Sequence, residues 1–170
     1  NRDGLMLGIC NGFQALVKLG LVPYGDIRPM DDECPTLTFN TIGRHQSRLV
    51  RTRVASNLSP WLSQCEPGDI HTVAISHGEG RFVCSPELQH QLEVTGRIAT
   101  QYVDEAGQPS MDWDVNPNGS VMAIEGITSP DGRVLGKMGH VERRGDGLYK
   151  NVPGNKFMPL FESGVKYFTD

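Results

Sequence analysis

A stretch near the start of the chain, residues 5–17 (LMLGICNGFQALV), decides the fold prediction. Its first three residues form a short apolar run that predicts a β-strand. Phe13, Leu16 and Val17 then recur at the spacing of one helix face, and Gly20 stands where a helix C-cap belongs. The stretch therefore predicts a strand, a tight turn and a helix in direct succession.

The turn between this strand and helix carries a cysteine, Cys10, between two glycines, Gly8 and Gly12. This is the pattern of a nucleophile elbow, in which a strained backbone lifts the reactive side chain off the sheet edge. The glycines are expected to let strand and helix approach without Cβ clashes, and the helix N-terminus to favour the thiolate. The amide of Asn11 is expected to donate to a developing oxyanion. Most free cysteines are packing residues, but this context favours Cys10 as a nucleophile.

A thiol nucleophile needs a base that a carboxylate or amide orients, and the base is usually a histidine. His140 follows the predicted strand 134–138 and precedes Glu142 by two residues. In extended backbone, residues i and i+2 face the same side, so both side chains are expected to point towards one site. His90 lies in a polar predicted helix and His71 begins a strand, which fits structural roles. A lone His-x-Glu is usually a solvated loop, but together with the elbow it predicts a Cys–His–Glu triad.

Bulk properties limit the class of protein. A length of 170 residues suits one domain, predicted over residues 1–170, and the net charge of −4 does not favour nucleic acid or an anionic membrane as partner. No apolar run is long enough to span a bilayer, and the start lacks a signal-peptide pattern. The chain also lacks an initiator Met and is expected to begin inside a longer protein. The four cysteines are Cys10, Cys34, Cys65 and Cys84. Their spacing does not match that of zinc ligands, and the composition predicts a reduced, cytoplasmic protein.

Patterns along the rest of the chain predict a mixture of strands and helices. Alternating patterns predict strands at 36–40 and 48–54, in a sheet with one solvent-exposed face. Further strands are predicted at 70–76, 98–103, 121–127 and 134–138, and the last two are expected to pair with each other. Short helices are predicted at 86–95 and 160–168, and polar or turn-rich loops at 77–81, 104–120 and 139–159.

Four segments carry a resemblance to a known family. Residues 7–14 (LGICNGFQ) are similar to the Gly-x-Cys-x-Gly-x-Gln signature of class I glutamine amidotransferases. Residues 76–82 (SHGEGRF), 116–120 (NPNGS) and 139–143 (GHVER) resemble the branch found in phosphoribosylformylglycinamidine synthase. They stand in the family's order and span most of the chain.

The resemblance implies an α/β, flavodoxin-like open sheet with helices on both faces. It implies Cys10 as nucleophile, His140 as base and Glu142 as orienter. It also implies that the family's N-terminal strands and helices, with a glycine-rich loop that supplies a second oxyanion donor, are missing from this chain. The chain alone is therefore expected to be poorly active or inert.

The resemblance further implies residues that hold the substrate, glutamine, and a surface for a partner. The substrate-binding residues are Asn11, Gln14, Ser76 and His77. A basic, polar stretch contains Arg44, Ser47 and Arg48. It is expected to face a synthase domain or the substrate, and a solvated strand edge with no such role is the equal alternative.

The function implied is hydrolysis of glutamine through a cysteine thioester. The ammonia would serve the ATP-dependent conversion of formylglycinamide ribonucleotide (FGAR) into its amidine (FGAM) in purine synthesis. The synthase domain, in the same chain or in a separate subunit, would hold ATP and magnesium. No cofactor or metal is expected in this domain.

Two other interpretations remain open, and the matching segments depart from the family pattern at two places. The alternatives are a stand-alone Cys hydrolase or peptidase, and a non-catalytic domain that only binds a partner. A papain-like peptidase is disfavoured because residues 8–12 lack the Cys-Gly-x-Cys-Trp pattern. Gly139 and Val141 replace two prolines that flank the histidine in many relatives, which changes loop stiffness but not proton chemistry. His45 replaces an asparagine, which leaves its role open.

Overall fold

The structure is a computed structural model that describes residues 3–169, so both ends of the predicted domain 1–170 lie outside the described part. Within it the strands are β1 (Met6–Ile9), β2 (Thr36–Thr38), β3 (Gln46–Val54), β4 (Ile70–His77), β5 (Arg81–Val83), β6 (Ile98–Tyr102), β7 (Ile124–Thr128) and β8 (Val134–Lys137). The α-helices are α1 (Asn11–Leu19), α2 (Leu21–Tyr24), α3 (Pro86–Val94) and α4 (Leu160–Lys166). Short 3-10 turns cover Pro60–Leu62 and Val121–Ala123. No helix in this part of the chain has the length and hydropathy of a membrane span.

The opening strand, turn and helix form where the sequence predicts them. Phe13, Leu16 and Val17 of α1 are buried, as their helical spacing requires. The helix ends at Gly20, which has a left-handed φ of 84° and donates its N–H to the Val17 carbonyl at 3.0 Å. The predicted strands 121–127 and 134–138 form the antiparallel hairpin β7–β8, except that β7 begins at Ile124 because Val121–Ala123 form a 3-10 turn.

The predictions for residues 36–40 and 77–81 need correction. The strand β2 does not join the main sheet, because it pairs with β5 in a separate two-stranded sheet. The strand β5 begins at Arg81, inside the segment predicted as a polar loop. Three residues are too few for a periodic signal, so its pairing partner rather than its own pattern makes it a strand.

The main sheet has six strands in the order β1-β8-β7-β6-β3-β4. Helix α4 packs in one of its two cores, and helices α1 and α3 pack in the other. β1 and β8 are parallel, and the other neighbouring pairs are antiparallel. Side chains alternate between the two faces of the sheet along β8 and the residue after it. Leu135 packs in a core shared with α4, whereas Val134 and Met138 pack in a core shared with α1 and α3. This mixed α/β architecture confirms the predicted fold class.

The sheet curls until its two ends approach each other. β8 lies next to one end of the strand order and β4 forms the other end, yet His140, just after β8, bridges to Ala74 of β4. The His140 N–H donates to the Ala74 carbonyl at 2.8 Å. The ends of β1, β8 and β4 consequently meet at one place, and the predicted site residues lie there.

Candidate active site

The elbow holds Cys10 in a backbone conformation that side chains other than glycine rarely adopt. Its φ is 54° and its ψ is −107°, which costs on the order of 1–3 kcal/mol and persists only where the surroundings enforce it. Two hydrogen bonds do so: the Cys10 N–H donates to the Lys137 carbonyl at 2.8 Å, and the Gln14 N–H donates to the Cys10 carbonyl at 3.2 Å. The neighbouring strand and the first turn of α1 thus fix the cysteine.

The two glycines of the elbow differ in what they allow. A Cβ on Gly8 would lie 2.5 Å from Leu16 Cδ1 and 2.7 Å from the backbone of Gly12, so no larger residue fits. A Cβ on Gly12 would meet nothing within 4 Å. The steric reason predicted for Gly12 is therefore not found, whereas Gly136 of β8, which the sequence did not single out, leaves room for the ring of Phe13.

The thiol of Cys10 is half-buried and lies 3.9 Å from the Ser76 carbonyl oxygen. Burial raises its pKa above the ordinary value, and the charge of Glu142 adds to this, while the Asn11 N–H and the charge of Arg143 lower it. The helix N-terminus was expected to favour the thiolate, but the loss of solvation outweighs it. The protonated thiol is favoured at rest, so reaction requires a base that takes the proton.

His140 and Glu142 form a close hydrogen-bonded pair beside the elbow. The Nδ1 atom of His140 lies 2.5 Å from Glu142 Oε1. When Nδ1–H donates to the carboxylate, Nε2 of the neutral ring keeps a free lone pair. Nε2 is buried and has no hydrogen-bond partner among residues 3–169. The His140 N–H donates to Ala74 of β4, and the carbonyl of Ser76, two residues further along that strand, faces the Cys10 thiol. This loop therefore lies beside Cys10.

Of the residues predicted to hold glutamine, Asn11, Gln14 and Ser76 lie at the elbow. The Gln14 side-chain amide donates to the Glu79 carbonyl at 2.5 Å, which ties α1 to the loop after β4. Ser76 offers its carbonyl to the thiol, and its hydroxyl lies 3.0 Å from Nε2 of His45. The structure thus gives His45 a contact beside the site, where the sequence left its role open.

His77 lies inside the protein and supports the loop after β4. Its Nδ1 is 3.3 Å from Oδ1 of Asn40, which also accepts the Gly80 N–H at 3.2 Å. Burial lowers the pKa of His77 to about 4. Asn40 also donates to the Arg44 carbonyl at 3.0 Å, so the start of the predicted basic stretch is held by the same cluster.

The predicted basic stretch lies mostly on the surface. Arg44 and Ser47 are exposed, and Arg48 is partly buried. Arg48 donates from Nη2 to the carbonyl of Trp113 at 3.2 Å.

Sequence reasoning missed a buried ion pair next to His140. Lys137 Nζ lies 3.0 Å from Glu125 Oε1, and neither side chain is exposed to solvent. Both bind the backbone of Gly139, the residue before His140. The signal available in the sequence was one charged residue in each of two otherwise apolar strands that are predicted to pair.

The described residues hold no metal-binding cluster. No group of three or more His, Cys, Asp and Glu side chains between residues 3 and 169 could bind a metal ion. The four cysteines are all free thiols.

A strand-to-helix elbow with a cysteine, beside a His–Glu pair, is an arrangement that cysteine-dependent hydrolases use. Comparison with known families narrows the class. The chain matches the CobB/CobQ-like glutamine amidotransferase domain over residues 1–168, and it belongs to that family.

The similar proteins include phosphoribosylformylglycinamidine synthase subunits PurQ from two Synechococcus strains. The one from strain JA-2-3B'a(2-13) is 36% identical over 167 residues, which are 98% of this chain and 64% of the relative. The one from strain JA-3-3Ab is 37% identical over 165 residues, which are 97% and 63%. The chain thus spans less than two thirds of the length of these relatives.

A solved structure supports the same relationship. The chain is similar to one in the structure of PurLQS from Thermotoga maritima, with a TM-score of 0.68 and 27% identity. The match covers 96% of this chain and 62% of that one. The predicted family resemblance is confirmed.

Proposed function

We propose that this chain is the glutaminase part of a phosphoribosylformylglycinamidine synthase. The observation that carries the proposal is Cys10, strained at the end of β1, beside the hydrogen-bonded pair of His140 and Glu142. The similarity to two PurQ subunits and to a chain of PurLQS supports the choice of synthase.

In the proposed mechanism, His140 takes the thiol proton and the sulfur of Cys10 attacks the side-chain carbonyl carbon of glutamine. The Asn11 amide stabilises the oxyanion of the tetrahedral intermediate. The intermediate collapses with cleavage of the C–N bond, and His140 returns the proton to the departing ammonia. Water, deprotonated by His140, then hydrolyses the thioester and releases glutamate. Glu142 holds the imidazole by Nδ1 and stabilises its charged form.

The ammonia is proposed to pass to a synthase partner, which converts FGAR into FGAM. ATP and magnesium are proposed to act in that synthase, and the exposed side chains of Arg44 and Ser47 with Arg48 are proposed to face it. The free cysteines support a reducing, cytoplasmic location. Gln14 and Ser76 are proposed to line the glutamine site, with His77 supporting the loop behind it.

The test is glutamate release from glutamine by the full-length protein with its synthase partner, beside the Cys10→Ala variant. Release by the parent that falls by roughly four orders of magnitude or more in the variant supports the proposal, since removing a nucleophile has an effect of this size. Equal release by both variants would remove Cys10 from the mechanism. Absence of release from the parent would favour a domain that only binds a partner, and release from other amides without a synthase would favour a stand-alone hydrolase.

A further inference from the structure

A fully buried ion pair lies directly behind the histidine loop. Glu125 comes from β7 and Lys137 from β8, with Nζ and Oε1 3.0 Å apart and both side chains shielded from solvent. A buried ion pair is poor evidence for stability, because the loss of hydration can exceed the attraction between the charges. Its hydrogen bonds therefore indicate its role.

Both charged groups bind the residue that precedes the histidine. Glu125 Oε1 accepts the Gly139 N–H at 2.5 Å, and Lys137 Nζ donates to the Gly139 carbonyl at 3.1 Å. A Cβ on Gly139 would lie 2.8 Å from Glu125 Oε1, so only glycine permits this approach. The second carboxylate oxygen accepts from the Thr100 hydroxyl, which fixes the carboxylate from the far side.

The peptide between Gly139 and His140 is consequently held at both of its polar groups. Lys137 binds its carbonyl, and the Ala74 carbonyl accepts its N–H at 2.8 Å. Lys137 also accepts the Cys10 N–H with its own carbonyl at 2.8 Å. One residue thus contacts the backbone of the nucleophile and the backbone leading to the base.

A role confined to joining β7 to β8 does not account for these contacts. The two strands already pair through their backbones from Gly126 to Thr128. The charged groups bind Gly139, beyond the end of the hairpin, instead.

We propose that Glu125 and Lys137 are positioning residues, which hold Gly139 so that the ring of His140 is fixed relative to the sulfur of Cys10. This rests on the proposed function, in which His140 is the base for Cys10. The Gly139 N–H bond to position 125 is the essential contact, and the charges matter because they hold that carboxylate in place.

Two double variants of the full-length protein separate this role from a purely structural one. Both remove the two charges together, because a single replacement leaves an uncompensated buried charge. Glu125→Gln/Lys137→Met keeps an acceptor for the Gly139 N–H, whereas Glu125→Leu/Lys137→Met has none. The measurements are kcat and KM for glutaminase activity with the synthase partner, the melting temperature, and the rate at which iodoacetamide alkylates Cys10, resolved by mass spectrometry.

The variant Glu125→Leu/Lys137→Met is expected to lose roughly a hundredfold in kcat with little change in KM, since a small misplacement of a reacting group has an effect of that size. The variant Glu125→Gln/Lys137→Met is expected to keep kcat within about threefold of the parent, because a neutral pair of similar volume can replace a buried ion pair. Alkylation of Cys10 is expected to follow the same order. Equal kcat and equal alkylation in two folded doubles would overturn the proposal.

Two further arms keep the test decisive. If the parent releases no glutamate, the proposed function fails, and the order of Cys10 alkylation alone decides on the positioning role. If the variant Glu125→Leu/Lys137→Met does not fold, Thr100→Val frees the second oxygen of Glu125 without changing charge. It is then expected to lower kcat severalfold at unchanged KM, and parental kcat would overturn the proposal.

Discussion

The two sides of the candidate site are held in different ways. On the side of the proposed nucleophile, the elbow is one strand–turn–helix unit that contains Gly8, Cys10 and Gln14. The Cys10 N–H also ties this unit to the neighbouring strand β8 through the Lys137 carbonyl. On the side of the proposed base, His140 is held by Ala74 of β4, and Gly139 before it by Glu125 of β7, so both are held by other strands of the sheet. Local backbone geometry forms most of the elbow around the proposed nucleophile, whereas the curl of the sheet places the proposed base.

This comparison predicts that changes on the nucleophile side act locally, while changes on the base side act through distant elements. Four predictions test it, from the largest expected effect to the smallest.

Replacing the base removes proton transfer while the elbow remains. His140→Asn is expected to lower kcat by about 10²–10⁴-fold, the usual contribution of a general base. Glu142→Gln is expected to lower kcat less, because the amide can still contact the ring although it cannot stabilise its charge. Steady-state glutaminase kinetics of both variants, with circular dichroism as a folding control, measure this. A larger loss in Glu142→Gln than in His140→Asn would contradict the assigned roles.

Buried His77, at the end of the strand β4 that also holds His140, makes this part of the structure sensitive to acid. Burial lowers its pKa from 6.5 to about 4, so the unfolded chain binds the proton more readily than the folded one. The stability that depends on neutral His77 is complete above about pH 6.5 and is lost as pH falls towards 4, by about 3 kcal/mol in all. Burial also lowers the pKa of His71, which adds to the loss in the same direction.

Urea unfolding of the parent and of His77→Gln between pH 4 and 7 measures how much of the pH dependence of the unfolding free energy is due to His77. The variant is expected to show the shallower dependence of unfolding free energy on pH, whatever its absolute stability. Parallel curves for the two proteins would show that His77 does not titrate differently on folding.

The elbow glycines offer a matched pair on the nucleophile side. Gly8→Ala is expected to destabilise the fold by about 2 kcal/mol, because its Cβ would overlap Leu16 and the Gly12 backbone. Gly12→Ala should leave stability unchanged or raise it by less than about 1 kcal/mol, since its Cβ meets open space and alanine favours helices. Thermal unfolding of both variants checks this. Equal losses would mean that the close approach of α1 to β1 does not depend on Gly8.

A helix cap away from both sides sets the baseline for a purely structural change. The Ser85 hydroxyl accepts the Leu88 N–H at 3.2 Å and caps α3. Ser85→Ala is expected to lower stability by about 1 kcal/mol and to leave kcat unchanged. Parallel measurement of the melting temperature and kcat tests this, and a fall in kcat would show that α3 is coupled to the site.

Much of the nucleophile side could be predicted from sequence, because its information is local. The strand, the elbow and the helix with its C-cap at Gly20 follow from apolar spacing and glycine positions within about 16 residues. The contact between His140 and Glu142 also follows from a spacing of two residues. Burial, by contrast, reversed the pKa shift expected for Cys10, and no local pattern reports how deeply a turn is buried.

The sequence by itself determined the family, the fold class and the residues on which the proposed chemistry rests. Only the tertiary structure decided how they meet. The bridge from His140 to Ala74 and the approach of the Ser76 carbonyl to Cys10 depend on the curl of a six-stranded sheet. The buried Glu125–Lys137 pair depends on which strands become neighbours. Such contacts join residues far apart in the chain, and sequence periodicity describes only the face on which a residue lies, not the partner that it meets.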